Sequence, residues 1–195
     1  MFDYVKGFVA ELTPTEAVID CSGVGFSILI SLQSYEALRG KETAKVYLYH
    51  YIREDDEQFY GFATKDEREL FKLLISVSGI GVGSARMMLS SLTDEEIRNA
   101  IIAEDVNRIK SVKGIGLKSA QRLILELKDK IIKGAGSESV LPLAGASNAA
   151  VDEATTALVM LGFSKANINK VIPGIIKQHP DARVEDIIKA ALQRL

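Results

Sequence analysis

The sequence predicts a multidomain chain whose first third is built of strands and whose remainder is helical. Three observations carry that prediction. Short alternating runs of Val, Ile, Tyr and Phe fill residues 1–62, and from Lys65 the apolar spacing becomes helical. Within the helical part, residues 76–92 (SVSGIGVGSARMMLSSL) recur as residues 111–127 (SVKGIGLKSAQRLILEL). A stretch of small and polar residues, 134–148, then precedes a last group of short helical patterns.

The strands come first. VKGFVAEL (5–12), EAVIDC (16–21), GFSILISL (25–32), AKVYLYHYI (44–52) and QFYGF (58–62) are strand-like and separated by turn material. Ser22-Gly23-Val24-Gly25 marks a hairpin, and Ser34 to Leu38 suit a short helix. Five such strands within residues 1–63 suit a small barrel of the OB-fold type.

Leu70, Phe71, Leu74 and Ile75 then fall at helical spacing behind acidic residues. Thr93 with Glu96 three residues on is a capping box that starts another helix. Residues 119–132 form a further amphipathic helix, so 64–133 is expected to be all-helical, with turns at 79–83 and 114–118. The two repeat copies align without gaps at an offset of 35 residues. Each places a Gly-Ile-Gly turn before an apolar-periodic stretch. Such a turn lets two helices meet closely and opens the second with unpaired backbone N–H groups, where the helix dipole favours an anion. Two in tandem suggest paired phosphate grips, a tandem helix-hairpin-helix arrangement. The candidate DNA-binding residues are Gly79, Ile80, Gly81, Val82, Gly83 and Ser84 in the first copy. In the second they are Lys113, Gly114, Ile115, Gly116, Leu117, Lys118 and Ser119, followed by Arg122. The first copy has Gly83 where the second has Lys118, so it is expected to rely more on backbone donors.

Residues 134–148 (GAGSESVLPLAGASN) have the composition of a flexible linker. Beyond them, 152–161, 166–172 and 184–195 predict a small three-helix (UBA-like) domain over 149–195. Gly162 should end its first helix and Pro173-Gly174 should interrupt its second. Leu158, Leu161, Phe163, Ile168, Val171, Ile187 and Leu192 are its expected core.

Charge is distributed unevenly. The net charge is −2, yet residues 64–133 hold 13 Lys/Arg against 10 Asp/Glu, whereas residues 1–63 hold 5 against 10. The basic excess lies mainly in 106–133 and coincides with the second Gly-Ile-Gly turn, the footprint of phosphate binding. With hydrophobic content of 47% and no apolar run of roughly 18 residues, the chain reads as a soluble protein with no membrane span. One cysteine, Cys21, fits a reducing cytosol, and two distant histidines, His50 and His179, make no metal-ligand cluster. Gly116-Leu117-Lys118-Ser119 is not a P-loop, because Leu117 separates the glycine from the lysine. A base-flipping glycosylase would need a carboxylate beyond the hairpin and a ring to stack the base. Asp129 is the nearby acid, and 72–162 hold no aromatic residue. A pure assembly scaffold would leave the basic excess without a role. From the residues alone, the run Glu54-Asp55-Asp56-Glu57 is a solvated hairpin tip. A metal-dependent nuclease site there lacks a His or a third acidic motif.

The order of these parts, with Arg53-Glu54-Asp55, Tyr60-Gly61-Phe62, Glu67-Arg68-x-Leu70-Phe71, Gly79-Ile80-Gly81 and Gly114-Ile115-Gly116-x-Lys118-Ser119-Ala120, resembles the RuvA family of Holliday-junction branch-migration subunits. The resemblance runs along nearly the whole chain. It implies that the barrel assembles a homotetramer or octamer presenting a flat face to four-way junction DNA, while the hairpins grip the duplex arms. It implies an acidic pin at the junction centre, made here by Arg53, Glu54 and Asp55. It implies that the third domain docks on a RuvB-type hexameric ATPase, with Leu158, Leu161 and Phe163 as partner-binding candidates, and that a junction resolvase joins a larger complex. No catalytic residue, metal or cofactor is expected, and the setting is the cytoplasm.

Overall fold

The structure, a computed structural model, describes residues 2–135, 146–179 and 182–195. They fall into two compact units, Met1–Glu138 and Ser139–Leu195.

The first unit begins with a closed five-stranded barrel. Strands β1 (Tyr4–Leu12), β2 (Glu16–Cys21), β3 (Val24–Ile30), β4 (Thr43–Ile52) and β5 (Glu57–Phe62) are ordered β1-β2-β3-β5-β4, and β4 returns to β1. Every pair is antiparallel except β3 with β5. Helix α1 (Leu32–Leu38) bridges β3 and β4, capped by the Ser31 hydroxyl, so the β3 segment ends two residues earlier than its apolar run suggests. The two-residue turn at Ser22 and Gly23 has φ of 57° and 93°, the mirror-image geometry that a right-twisted hairpin requires. Alternation along the strands turns Val5, Ala17, Ile19, Ile28, Ile30, Val46 and Leu48 into the barrel. Gly61 closes it. A Cβ there would lie 2.4 Å from Ile28 Cγ2 and 2.7 Å from Val46 Cγ1, so β5 reaches its neighbours only without a side chain.

Helices α2 (Lys65–Ile75), α3 (Val82–Ser91), α4 (Asp94–Ile102), α5 (Val106–Lys110) and α6 (Leu117–Ala135) follow. The Thr93–Glu96 capping box is present at α4 in both directions. Equivalent positions of the two repeats are buried together: Val77 with Val112, Ile80 with Ile115, Ala85 with Ala120, and Leu92 with Leu127. Their core also takes in Tyr60 and Phe62 from β5, and Phe71 lies against Tyr49, Tyr60 and Phe62.

Buried polar groups fix this joint between barrel and helices. Glu67 is almost wholly buried and accepts hydrogen bonds from Ser31 Oγ, Ser34 Oγ (2.7 Å) and the Ala63 amide (3.2 Å). Burial raises its carboxyl above the ordinary 4.5, with the serine bonds opposing. Arg68 donates to the Asp3 carboxylate (2.7 Å) and carbonyl (2.8 Å), and its guanidinium lies over the Tyr47 ring. Gln33 donates to the carbonyls of Leu89 and Leu92.

The second unit has helices α7 (Ala146–Met160), α8 (Lys165–Gln178) and α9 (Val184–Leu192) around Ala154, Leu158, Ile168, Ile172, Ile175, Ile187 and Ala191. Gly162 (φ 99°) ends α7 as expected. Its amide and that of Phe163 close the turn on Val159 and Leu158 carbonyls.

Three expectations are corrected. Pro173-Gly174 does not interrupt α8, which runs through to Gln178. Proline removes the donor for the Asn169 carbonyl, but Asn169 is exposed to water, while Ile168, Ile172 and Ile175 hold both halves of the helix in the core. Leu161 and Leu192 are exposed rather than core, because Leu161 is carried outward at the end of α7 and Ala191 takes the inward position on α9. Of the expected linker, 134–135 belong to α6 and 146–148 to α7, while 136–145 lie outside the described residues.

Candidate nucleic-acid interface

The Gly-Ile-Gly segments form two turns of the same construction. In the first, Ile80 N–H donates to Val77 O (3.0 Å), and Gly79 in the third position has φ 93°. In the second, Ile115 N–H donates to Val112 O (3.1 Å), and Gly114 has φ 90°. These are turns with the left-handed residue third, where glycine is unstrained. Helices α3 and α6 begin directly after them, so the turns lie at 76–81 and 111–116, slightly earlier than expected. The two turns are neighbours in space: a Cβ placed on Gly79 would lie 3.9 Å from Ser119 Oγ.

The glycines divide into two kinds. Gly79 and Gly114 are needed for the turn. Gly81 has φ −87°, Gly116 is not left-handed either, and a Cβ on Gly81, Gly83 or Gly116 would meet nothing within 4 Å. No protein atom therefore requires their missing side chains. What they leave is bare backbone at the opening turns of α3 and α6.

That backbone carries free donors. Helices α1, α2, α4, α5 and α8 are capped by Ser31, Thr64, Thr93, Asp105 and Ser164. Gly81 supplies no such cap to α3. Ala85 and Ala120 are the first residues to donate within α3 and α6, to Gly81 O and Gly116 O at 2.9 Å each. Among the described residues the amides of Val82, Gly83 and Ser84, and of Leu117, Lys118 and Ser119, thus have no acceptor. Ile80 and Ile115 depart from the expected contact set: their amides close the turns and their side chains are buried.

The surrounding cations also divide. Arg122 donates to Glu126 (2.7 Å), Arg108 to Glu96 (2.7 Å) and Lys128 to Glu104 (2.5 Å). Among the described residues, exposed Lys110, Lys113 and Lys118 have no such partner, and they flank the second turn. Asp129 lines a surface cavity of about 340 Å³ with Glu104, Gln121, Leu125 and Lys128, and no aromatic ring faces it.

The acidic run lies at the end of the β4–β5 hairpin. Ile52 pairs with Glu57, leaving Arg53, Glu54, Asp55 and Asp56 as the tip, closed by Arg53 N–H to Asp56 O (2.8 Å). Arg53 is drawn back along the strand, its Nε donating to Tyr51 Oη (2.5 Å). Glu57 is not part of the tip: its carboxylate meets His50 Nε2 at 2.6 Å. The side chains of Glu54, Asp55 and Asp56 are exposed, and their carboxylates have no hydrogen-bond or ion partner among the described residues.

A barrel with a projecting acidic hairpin, joined to two adjacent glycine-opened helix starts, is the arrangement to set beside known proteins. Residues 1–61 match the model of the RuvA N terminal domain, 71–129 that of the SAM-like helix-hairpin-helix tandem, and 149–195 that of the RuvA C-terminal domain. Relatives described as Holliday junction branch migration complex subunit RuvA are 53% identical in Bacteroides fragilis, 52% in Bacteroides thetaiotaomicron and 47% in Christiangramia forsetii. Each match covers the full length of both chains.

The chain belongs to the RuvA family. Within a RuvA chain the Glu67-Arg68-x-Leu70-Phe71 segment gains a physical meaning, since its residues join barrel to helices. Of the candidates in the RuvA C-terminal domain, Leu158 is fully buried and unavailable as a contact, Phe163 is half-buried, and Leu161 is exposed. Met160, beside Leu161, is 85% exposed. As an apolar residue outside the i, i+4 pair Ala154 and Leu158 that defines the buried stripe, it lies on the outer face of α7. No helix among the described residues is long and apolar enough to cross a membrane, and no group of three or more His, Cys, Asp or Glu is placed to hold a metal ion.

Proposed function

We propose that this chain is the DNA-binding, non-catalytic subunit of a branch-migration complex acting in homologous recombination and repair in the cytoplasm. It recognises four-way junctions and recruits a RuvB-type hexameric ATPase. The observation that carries the reading is the pair of adjacent, uncapped helix starts opened by Gly81 and Gly116. Three free amides on each, aided by Lys118 and Lys113, suit phosphate oxygens and carry no base information. The contact set is Gly81–Ser84 and Gly116–Ser119, with Lys113 beside the second turn. Arg122 joins it on exchanging Glu126 for a phosphate.

The tip carboxylates Glu54 and Asp55, with Asp56, act by repulsion where strands converge, and Arg53 meets a phosphate at entry. Four copies of the chain, or eight as two facing tetramers, would bring the pins together at a junction centre. Leu161, with Met160 and Phe163, contacts the motor, and a resolvase completes the larger complex.

Gel-shift titration of a synthetic four-way junction against linear duplex of the same sequence tests this. The expected result is tight, sequence-independent junction binding that weakens with salt at a log–log slope of about 0.9 per phosphate contacted. Equal affinity for both DNAs would overturn it.

A further inference from the structure

The outer face of β1 and β4 has no part in the reading above. Register places Tyr4 opposite Tyr47, Lys6 opposite Lys45, and Phe8 opposite Thr43. Alternation turns all six out of the barrel, Tyr47 half-buried against the helical core and the other five exposed, while Val5, Ala44 and Val46 fill the barrel between them. Tyr4 is 49% exposed and Phe8 64%. Lys45 Nζ sits 3.9 Å from the Tyr4 ring centroid and 4.8 Å from that of Tyr47. Lys6 and Lys45 have no carboxylate partner among the described residues, and Asp3, the acid at the Tyr4 end, is held by Arg68 at 2.7 Å. Asp20 stands opposite Phe8 on β2, so the positive end of the face is the Tyr4 end.

Exposed rings alternating with free cations along one strand are what an unpaired nucleic-acid strand requires. The rings stack bases of any sequence, and the ammonium groups meet phosphates. Tyr4 and Phe8 lie roughly 13 Å apart along the strand, four residues at about 3.3 Å each, with Lys6 midway. We propose that this face is a second nucleic-acid site, separate from the hairpins, that takes single-stranded DNA. Bases stack on Tyr4 and Phe8 while Lys6 and Lys45 hold the intervening phosphates. Lysines without a carboxylate partner among the described residues select a polyanion as the occupant, and the exposed rings beside them select a strand whose bases are free to stack.

The test uses the full chain and a fluorescent oligothymidine of about 15 nucleotides. Tyr4→Ala with Phe8→Ala should weaken oligothymidine binding at least about fivefold, the loss expected for one stacked base. Tyr4→Phe should retain it, and four-way junction affinity and sedimentation should be unchanged. Photocrosslinking of the unmutated chain with an iodouracil-substituted oligonucleotide should label Tyr4 or Phe8. Unchanged oligothymidine affinity, or crosslinks confined to 79–84 and 114–119, would overturn the proposal. Altered sedimentation of the double variant would also overturn it and make the face a contact between copies.

Discussion

A single methyl group separates fold from function at the hairpins. Gly116 has open space around its missing side chain, whereas Gly114 sits at φ 90°. Gly116→Ala should therefore melt like the parent and bind junctions more weakly, since its Cβ stands where a phosphate approaches. Gly114→Ala should lose about 1–2 kcal/mol of stability, the cost of a left-handed alanine. Thermal melts beside junction titrations distinguish the two, and Gly81 and Gly79 should repeat the pattern. Lys118→Ala should lower affinity evenly across DNA sequences and reduce the salt slope by about one. Glu67 gives a pH prediction. Its folded carboxyl is raised by burial, so the folded chain holds the proton more tightly than the unfolded chain. The associated stability is fully present below the unfolded value of 4.5 and is lost as pH rises through the folded value. Glu67→Gln keeps a neutral group there. Urea melts should show the parent losing stability relative to this variant as pH rises above 4.5, and parallel profiles would contradict the assignment.

Among the elements, the β4–β5 hairpin and α7 each separate an exposed functional part from a structural one. The tip carboxylates Glu54 and Asp55 carry no fold-stabilising contact, unlike Glu57, which meets His50. Glu54→Gln with Asp55→Asn should fold normally, bind junctions as well or better, and bind linear duplex better still. Competition gel shifts would measure that fall in discrimination. Loss of junction affinity with discrimination intact would make the tip a positive contact. On α7, Leu158→Ala should cost about 2–5 kcal/mol, because the side chain is fully buried. Leu161→Ala and Met160→Ala should leave the melting point in place and reduce stimulation of a RuvB-type ATPase. Unimpaired stimulation by both surface variants would place the motor contact elsewhere. The elements were largely legible in the sequence: period-two runs mark five strands, the repeat marks two hairpins, and Thr93 with Glu96 marks a helix start. Helix α8 passes through Pro173 because three buried isoleucines on the same helix outweigh one missing hydrogen bond.

Across the whole molecule, the two compact units predict separable activities. A chain ending after residue 136 keeps both hairpins and the joint at Glu67 and Arg68, so it should bind junctions yet fail to stimulate the motor's ATPase. Full stimulation by the shortened chain would remove the third domain's proposed role. What the sequence by itself determined was local: strands and helices from hydrophobic period, turns from glycine, and the paired hairpins from a repeat visible at 35 residues' spacing. These are written within a few neighbouring residues, and so can be read without a fold. Only the tertiary structure decided which parts of each motif face outward. It assigned the Ile80 and Ile115 amides to the turns, freed Lys110, Lys113 and Lys118 while pairing Arg122, and drew Glu57 away from the acidic hairpin tip. It also joined Ser31 to Glu67 and Asp3 to Arg68, contacts 36 and 65 residues apart. Burial and pairing of that kind depend on which distant segments the folded chain brings together, and no local pattern specifies them.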